Sequence, residues 1–413
     1  MSMLWQPDRP IIRSPLETDV YKILMLYYIN EYYPYLSVRW AFKNRTTAVQ
    51  LAQYVSVNEL REQLQAVQQL RFSDADIAYL RGWEMFPPAF LRQLQSLRLT
   101  MPDITTRDGQ LQIEASGSWL ETTLWEIYIL AIVAELYGRA RALADDISER
   151  ALYEEGMARL SGKVSFLRTH PELKLALFGL RRRFSQLWEE RVTETMLTHA
   201  RTSITGVSNV YLAQKYDVEA VGTNAHELPM AEYALARHQG PHAVRQAPYK
   251  VLAQWQQLYG HKALIMLPDT FGTEAFLRDL PPEYPHRWRG YRQDSGDARL
   301  IGEQYVADYE RRGIDTQDKL ILFTDGLDCA RMLELNQAFA GRIMVGFGVG
   351  TNFTNDLGLV KPLSIVMKLR EAAGNPTIKL SDNLAKAMGP EKEIAIAKQL
   401  FGYVGDFNEA TTY

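Results

Sequence analysis

Seven residues, Tyr291-Arg-Gln-Asp-Ser-Gly-Asp297, crowd an arginine, two carboxylates, a hydroxyl and a glycine into one stretch. An apolar core has no use for that mixture. Arg292 offers a planar fork to phosphate or carboxylate. Asp294 and Asp297 can accept from sugar hydroxyls or hold a divalent metal, although Asp297 falls at the start of the helical pattern 298–312 and reads as its cap, and Gly296 lets backbone approach a ligand closely. A hydroxyl-rich anion such as a sugar phosphate matches these groups. A solvated turn with a local ion pair also matches them, and the stretch alone does not separate the two.

Five other segments carry related chemistry. Gly346-Phe-Gly-Val-Gly-Thr-Asn352 follows the apolar run 343–345. Glycines at alternate positions after a strand can form a backbone N–H nest for phosphate, and Thr351 adds a hydroxyl; a tight turn with a bulge is the plainer explanation. Phe178-Gly-Leu-Arg-Arg-Arg-Phe-Ser185 sets three arginines after a short apolar run. One arginine beside the ring of Phe178 suits a flat anionic heteroaromatic such as a pyridine carboxylate, while the others can be solvated at a helix start. Gly222-Thr-Asn-Ala-His-Glu227 places His226 beside a carboxylate after the run 218–222. Asp269 and Asp325 each end an apolar run, where they can cap helices or, with Asp294, hold a metal-bound diphosphate and ribose hydroxyls.

The elements that would position these groups can be read from periodicity. Residues 175–180, 203–206, 218–222, 263–269, 291–294, 320–325 and 343–348 are short, largely apolar runs. Helical patterns separate most of them, at 184–198, 230–237, 298–312 and 329–339. That alternation argues for a parallel sheet or barrel, whose ligand groups sit at the carboxyl ends of the strands. Before it, residues 19–34 read as a helix and 36–43 as a strand. Residues 47–95 read as helices broken at Pro87-Pro88, and 97–101 with 111–115 as a hairpin turning at Asp108-Gly109. Helical patterns at 119–142 and 147–160 lead into the barrel. A second hairpin is expected from 362–369 and 377–381, returning to the N-terminal sheet, with a last helix at 391–400.

Composition bounds the function. The chain has 413 residues, net charge -3 and one cysteine, Cys329. There is no basic footprint for nucleic acid, no internal disulfide and no cysteine zinc site. Neither a signal peptide nor an apolar run of membrane-spanning length is legible, so a cytoplasmic protein with no membrane partner is expected. No paired-histidine metal spacing, Walker A motif or G-x-S-x-G nucleophile motif occurs.

Taken in order, the motifs resemble those of bacterial nicotinate phosphoribosyltransferases. They are Thr18-Asp-Val-Tyr-Lys22, Phe178–Ser185, Thr205-Gly-Val-Ser-Asn209, Gly222–Glu227, Tyr291–Asp297, Phe323-Thr-Asp-Gly-Leu327, Phe347-Gly-Val-Gly-Thr351 and Lys379-Leu-Ser-Asp382. The resemblance implies an α/β fold: an irregular, TIM-like α/β barrel with an N-terminal α+β domain whose sheet is mostly antiparallel. The expected divisions are 1–130, 131–360 and a C-terminal segment 361–413. It further implies a homodimer with shared active sites. The reaction implied joins nicotinate to phosphoribosyl diphosphate with Mg2+ and coupled ATP hydrolysis, with His226 transiently phosphorylated. The base would lie between Phe178 and Tyr21, the latter from the partner subunit, with Arg181 contacting it. Arg292, Asp294 and Asp269 would surround ribose and diphosphate, the two aspartates touching metal only through diphosphate or water. Thr324 and Asp325 would also bind substrate, and Gly350 and Thr351 would hold the 5′-phosphate. Nicotinamide-using relatives carry an aspartate where Ser208 stands, so losing that charge favours a carboxylate. Quinolinate- or nicotinamide-using transferases, or a non-catalytic sugar-phosphate sensor, are the alternatives on the same fold.

Overall fold

The computed structural model describes residues 3–409. Its strands are β1 (Ser37–Asn44), β2 (Asp103–Arg107), β3 (Gln110–Ser118), β4 (Leu175–Leu177), β5 (Ile204–Val207), β6 (Ile265–Met266), β7 (Gly290–Gln293), β8 (Leu320–Phe323), β9 (Met344–Val349), β10 (Ile365–Ala372) and β11 (Asn375–Pro376). They form two sheets. One is antiparallel, in the order β11-β10-β1-β3-β2; the other is parallel, in the order β5-β4-β9-β8-β7-β6. In β1, Val38, Trp40 and Phe42 alternate inward, as a half-buried strand requires. The parallel sheet curves into an irregular barrel. The run 218–222 is not a strand among the described residues; it touches β5 through one parallel bridge, Val207 to Ala220.

The hairpin turns where expected, but its first strand is β2 and not 97–101. Asp108 and Gly109 both have positive φ, 50° and 73°, which closes a two-residue turn. Arg107 must then face Gln110, and the register runs back to Asp103 opposite Glu114. Leu97, Leu99 and Met101 pack against the core from outside the sheet.

The second expected hairpin is only half formed. β10 pairs along β1 from Asn44–Ile365 to Val38–Ala372, so the chain does return to the N-terminal sheet. β11 is two residues long. Beyond Thr377 the chain leaves the sheet: Leu380 N–H donates to the Thr270 carbonyl at 2.8 Å, and Ile378 and Leu380 pack with Phe271 and Phe401. Lys379 is thereby carried into the barrel mouth. Helix Pro241–Tyr259 matches no expected element, because Pro248 inside it interrupts the helical pattern. No helix among the described residues is long and apolar enough to cross a membrane.

Candidate active site

The carboxyl ends of the parallel strands converge on one cavity. After β4 come Phe178 and Arg181, after β5 Ser208, after β7 Asp294, after β8 Thr324 and Asp325, and after β9 Gly350 and Thr351; all line it. Arg292, from β7 itself, lines it too. Glycine 290 makes that register possible: a Cβ there would lie 1.8 Å from the Leu320 carbonyl oxygen. Gly346 and Gly348 belong to β9 and not to a loop, so the expected nest shrinks to the turn at Gly350 and Thr351. Gly348 keeps its backbone open for a ring, since a Cβ would meet Phe178 at 2.9 Å.

His226 sits at the N-terminus of helix Glu227–Ala236 and is buried. Its Nε2 lies 2.7 Å from Asp269 Oδ1, 3.1 Å from Lys379 Nζ and 3.7 Å from Asp294 Oδ2. Burial, with help from Lys379, lowers its pKa to about 4 against the pull of Asp269, so the ring is neutral near pH 7. Asp269 was expected against ribose and diphosphate. Instead it stands behind His226 without lining the cavity, its Oδ2 accepting from Ser295 Oγ at 2.6 Å and facing Lys379 at 3.2 Å. Burial opposes its ionisation, but His226, Lys379 and Ser295 outweigh that and hold its carboxyl well below the usual range.

Asp294 faces the cavity. It accepts from Thr324 Oγ1 at 2.8 Å and lies 3.7 Å from Arg292. Burial disfavours its charge, yet Arg292 and His226 prevail and keep it ionised. Arg292 is fixed by donating to Thr223 Oγ1 at 2.6 Å and to the Asn224 carbonyl at 2.9 Å. Asp297 turns away and caps helix Ala298–Arg311, accepting from Leu300 N–H at 2.8 Å. Asp325 pairs with Lys386, which also donates to the Asp294 carbonyl at 3.1 Å.

The three successive arginines divide. Arg183 is buried between Glu17 and Glu189, at 2.9 Å from each, and serves the fold. Arg181 and Arg182 line the cavity. Arg181 lies over the ring of Tyr21, 5.9 Å from its centroid, and 3.4 Å from Glu126. Tyr21 lines the cavity within this chain. The cause is local: Val20 N–H donates to the Ser208 carbonyl at 2.8 Å and Val210 N–H to the Thr18 carbonyl at 2.9 Å, stitching helix Val20–Tyr32 to the barrel.

Ser208 does not leave its surroundings free of carboxylates. Its hydroxyl donates to Asp19, whose pKa burial raises despite Arg181. Asp19, Glu126 and Lys368 line the cavity and were not singled out by sequence reasoning. Glu126 had a signal, as a lone carboxylate at the start of a long apolar helix, Trp125–Ala144. Lys368, inside an alternating strand, had none.

A parallel strand array that gathers arginine, carboxylate, hydroxyl and histidine at its carboxyl ends, beside an antiparallel-sheet domain, is the architecture of a barrel enzyme acting on small anions. Residues 173–404 match the nicotinate phosphoribosyltransferase (NAPRTase) family, and residues 16–134 match its N-terminal domain. The chain belongs to the nicotinate phosphoribosyltransferase family. It is similar over its length to solved structures. A nicotinate phosphoribosyltransferase from Vibrio cholerae is 32% identical, with TM-score 0.86, covering 97% of each chain. One from Porphyromonas gingivalis is 30% identical with TM-score 0.84, covering 95% of this chain and all of the other. A putative nicotinate phosphoribosyltransferase from Saccharomyces cerevisiae is 28% identical with TM-score 0.87, covering 97% of this chain and all of its own.

Proposed function

We propose that this protein joins nicotinate to phosphoribosyl diphosphate, releasing nicotinate mononucleotide, a precursor of NAD, and diphosphate, and that ATP hydrolysis is coupled through phosphorylation of His226. The observation that carries the reading is His226 itself: a buried, neutral imidazole at a helix N-terminus, between Asp269 and Lys379, opening on the cavity of Arg292 and Asp294. With Nε2–H donated to Asp269, the lone pair lies on Nδ1. In the ATP step a ring nitrogen attacks the γ-phosphorus and the bond to ADP breaks. The phosphoryl group then sits at a helix N-terminus, which favours anions. Water later takes it as inorganic phosphate, restoring the neutral ring.

In the transfer step the pyridine nitrogen bonds to ribose C1 while the C1–oxygen pair leaves with diphosphate. The protein supplies position and charge in place of a nucleophile. Phe178 and Tyr21 hold the ring, Arg181 takes the carboxylate side, and Gly350 and Thr351 hold the 5′-phosphate. Asp269 is already engaged with His226 and Lys379. Asp294 is therefore the carboxylate suited to hold Mg2+, with the diphosphate and water, and the ion would neutralise the departing group. A homodimer with shared active sites belongs to the same reading. The cytoplasm, where these substrates are made and used, is the compartment this reading assigns.

The test is product formation from nicotinate, phosphoribosyl diphosphate, Mg2+ and ATP, with nicotinamide and quinolinate as competing substrates. Nicotinate mononucleotide formed with ADP release is the expected result; preference for either competitor overturns it. His226→Ala is expected to lose all stimulation by ATP, and a variant that keeps full stimulation refutes the phosphohistidine.

A further inference from the structure

Glu126 is the hub of the aromatic end of the cavity. Its carboxylate meets Lys22 at 2.9 Å, Arg181 at 3.4 Å and Lys368 at 3.6 Å, and the Tyr21 hydroxyl at 3.5 Å. Lys22 is shared with Glu227. Arg181 also approaches Asp19, at 3.9 Å. Lys22, Arg181 and Lys368 thus gather around Glu126, with Glu227 and Asp19 as further carboxylates. Arg181 and Lys368 line the cavity.

Lys368 has one carboxylate within 4 Å, Glu126, where Lys22 and Arg181 each have two. It projects from the middle of β10, opposite Ala41 of β1, and lines the cavity next to Val366. Burial and the neighbouring Arg181, Lys379 and Arg45 work against its charge while Glu126 supports it, leaving its pKa near 8. An ammonium held among cations has no structural purpose that an apolar side chain would not serve better. It has a purpose once an anion enters. Lys368 and the Arg181 guanidinium touch the same oxygen of Glu126, so they lie no farther apart than about 7 Å. One carboxylate can accept from two donors at that spacing.

We propose that Lys368 is a specificity-determining residue that reads the carboxylate of the pyridine substrate from the side facing Arg181, with Glu126 positioning both cations. This rests on the nicotinate reading above and adds the residue that separates a pyridine carboxylate from its uncharged amide. Lys368 shares Glu126 with Arg181 and Tyr21, which hold the pyridine in the reading above, so its loss is expected to act on the pyridine more than on the sugar phosphate.

The experiment is steady-state kinetics on the full chain, with nicotinate, nicotinamide and phosphoribosyl diphosphate each varied in turn. Lys368→Met removes the charge and keeps the stem; Lys368→Arg keeps the charge; thermal melting checks the fold of both. For Lys368→Met the KM for nicotinate is expected to rise on the order of 10- to 100-fold, as for loss of one charged hydrogen bond. The KM for phosphoribosyl diphosphate should move less than about threefold, preference for nicotinate over nicotinamide should fall, and Lys368→Arg should restore most of it. The wild-type KM for nicotinate should also climb as pH rises through about 8, where Lys368 loses its proton, and that climb should vanish in Lys368→Met. An active wild type whose Lys368→Met variant keeps its nicotinate preference, or changes its KM for phosphoribosyl diphosphate instead, overturns this proposal alone. A wild type that makes no nicotinate mononucleotide overturns the functional reading and this proposal with it.

Discussion

His226 shows how far burial can move one side chain. Its pKa falls from 6.5 to about 4, chiefly through desolvation. The ring is therefore a lone-pair donor over the whole neutral range, as a phosphoryl acceptor must be. The sign for stability follows. The folded pKa is depressed below the unfolded value, so between pH 6.5 and about 4 the unfolded chain binds the proton more readily. Stability is lost as pH falls through that window. Titration followed by histidine NMR is expected to leave the His226 ring in its neutral form down to about pH 4, whereas a midpoint near 6.5 would refute the buried, neutral ring. At this scale the sequence was informative about type and less so about direction. His226, Asp294 and Arg292 do meet in the cavity and Asp297 does cap the following helix, while Asp269 turned out to back the histidine.

The elements matter because a strand end aims a side chain only if its register holds. Gly290 opens β7, and its neighbours on β8 leave no room for a Cβ. Gly290→Ala is expected to cost about 3 kcal/mol, the upper end of the usual overpacking range, read as a lower urea midpoint. It should also weaken phosphoribosyl diphosphate binding, since Arg292 lies on the same strand and Asp294 directly follows it. A variant with unchanged midpoint and KM would show that β7 does not set the site. Alternation and the Asp108-Gly109 turn made the hairpin legible, but the turn's backbone geometry chose β2 over 97–101. Strand β10 was legible as a strand returning to the N-terminal sheet, yet nothing in its alternation marked Lys368 as facing a cavity.

For the molecule as a whole, the barrel and the N-terminal helices are joined by a buried ionic network. Lys22 from helix Val20–Tyr32 meets Glu126 and Glu227, and Glu227 also accepts from Trp119 Nε1 at 2.9 Å and Thr123 Oγ1 at 2.7 Å. Removing the cation strands two buried carboxylates. Lys22→Met is expected to destabilise the protein by about 3–5 kcal/mol, the usual consequence of breaking a buried pair, measured by chemical denaturation. A change under about 1 kcal/mol would mean the network is hydrated or dispensable. Because Tyr21 and Asp19 flank Lys22 in this segment, the same joint that stabilises the molecule also builds the aromatic end of the cavity.

By itself, the chain's order of motifs determined the family, the alternation of strand and helix, and which side chains gather at the strand ends, because those depend on local spacing and on the rule that parallel strands present their carboxyl ends to one side. Only the tertiary structure decided that Tyr21 lines one cavity with Phe178 and Arg181, that Asp269 stands behind His226, and that Glu126 and Lys368 share the cavity. Those outcomes rest on contacts between residues far apart in sequence and on the desolvation that packing imposes, and neither is written in any local pattern of residues.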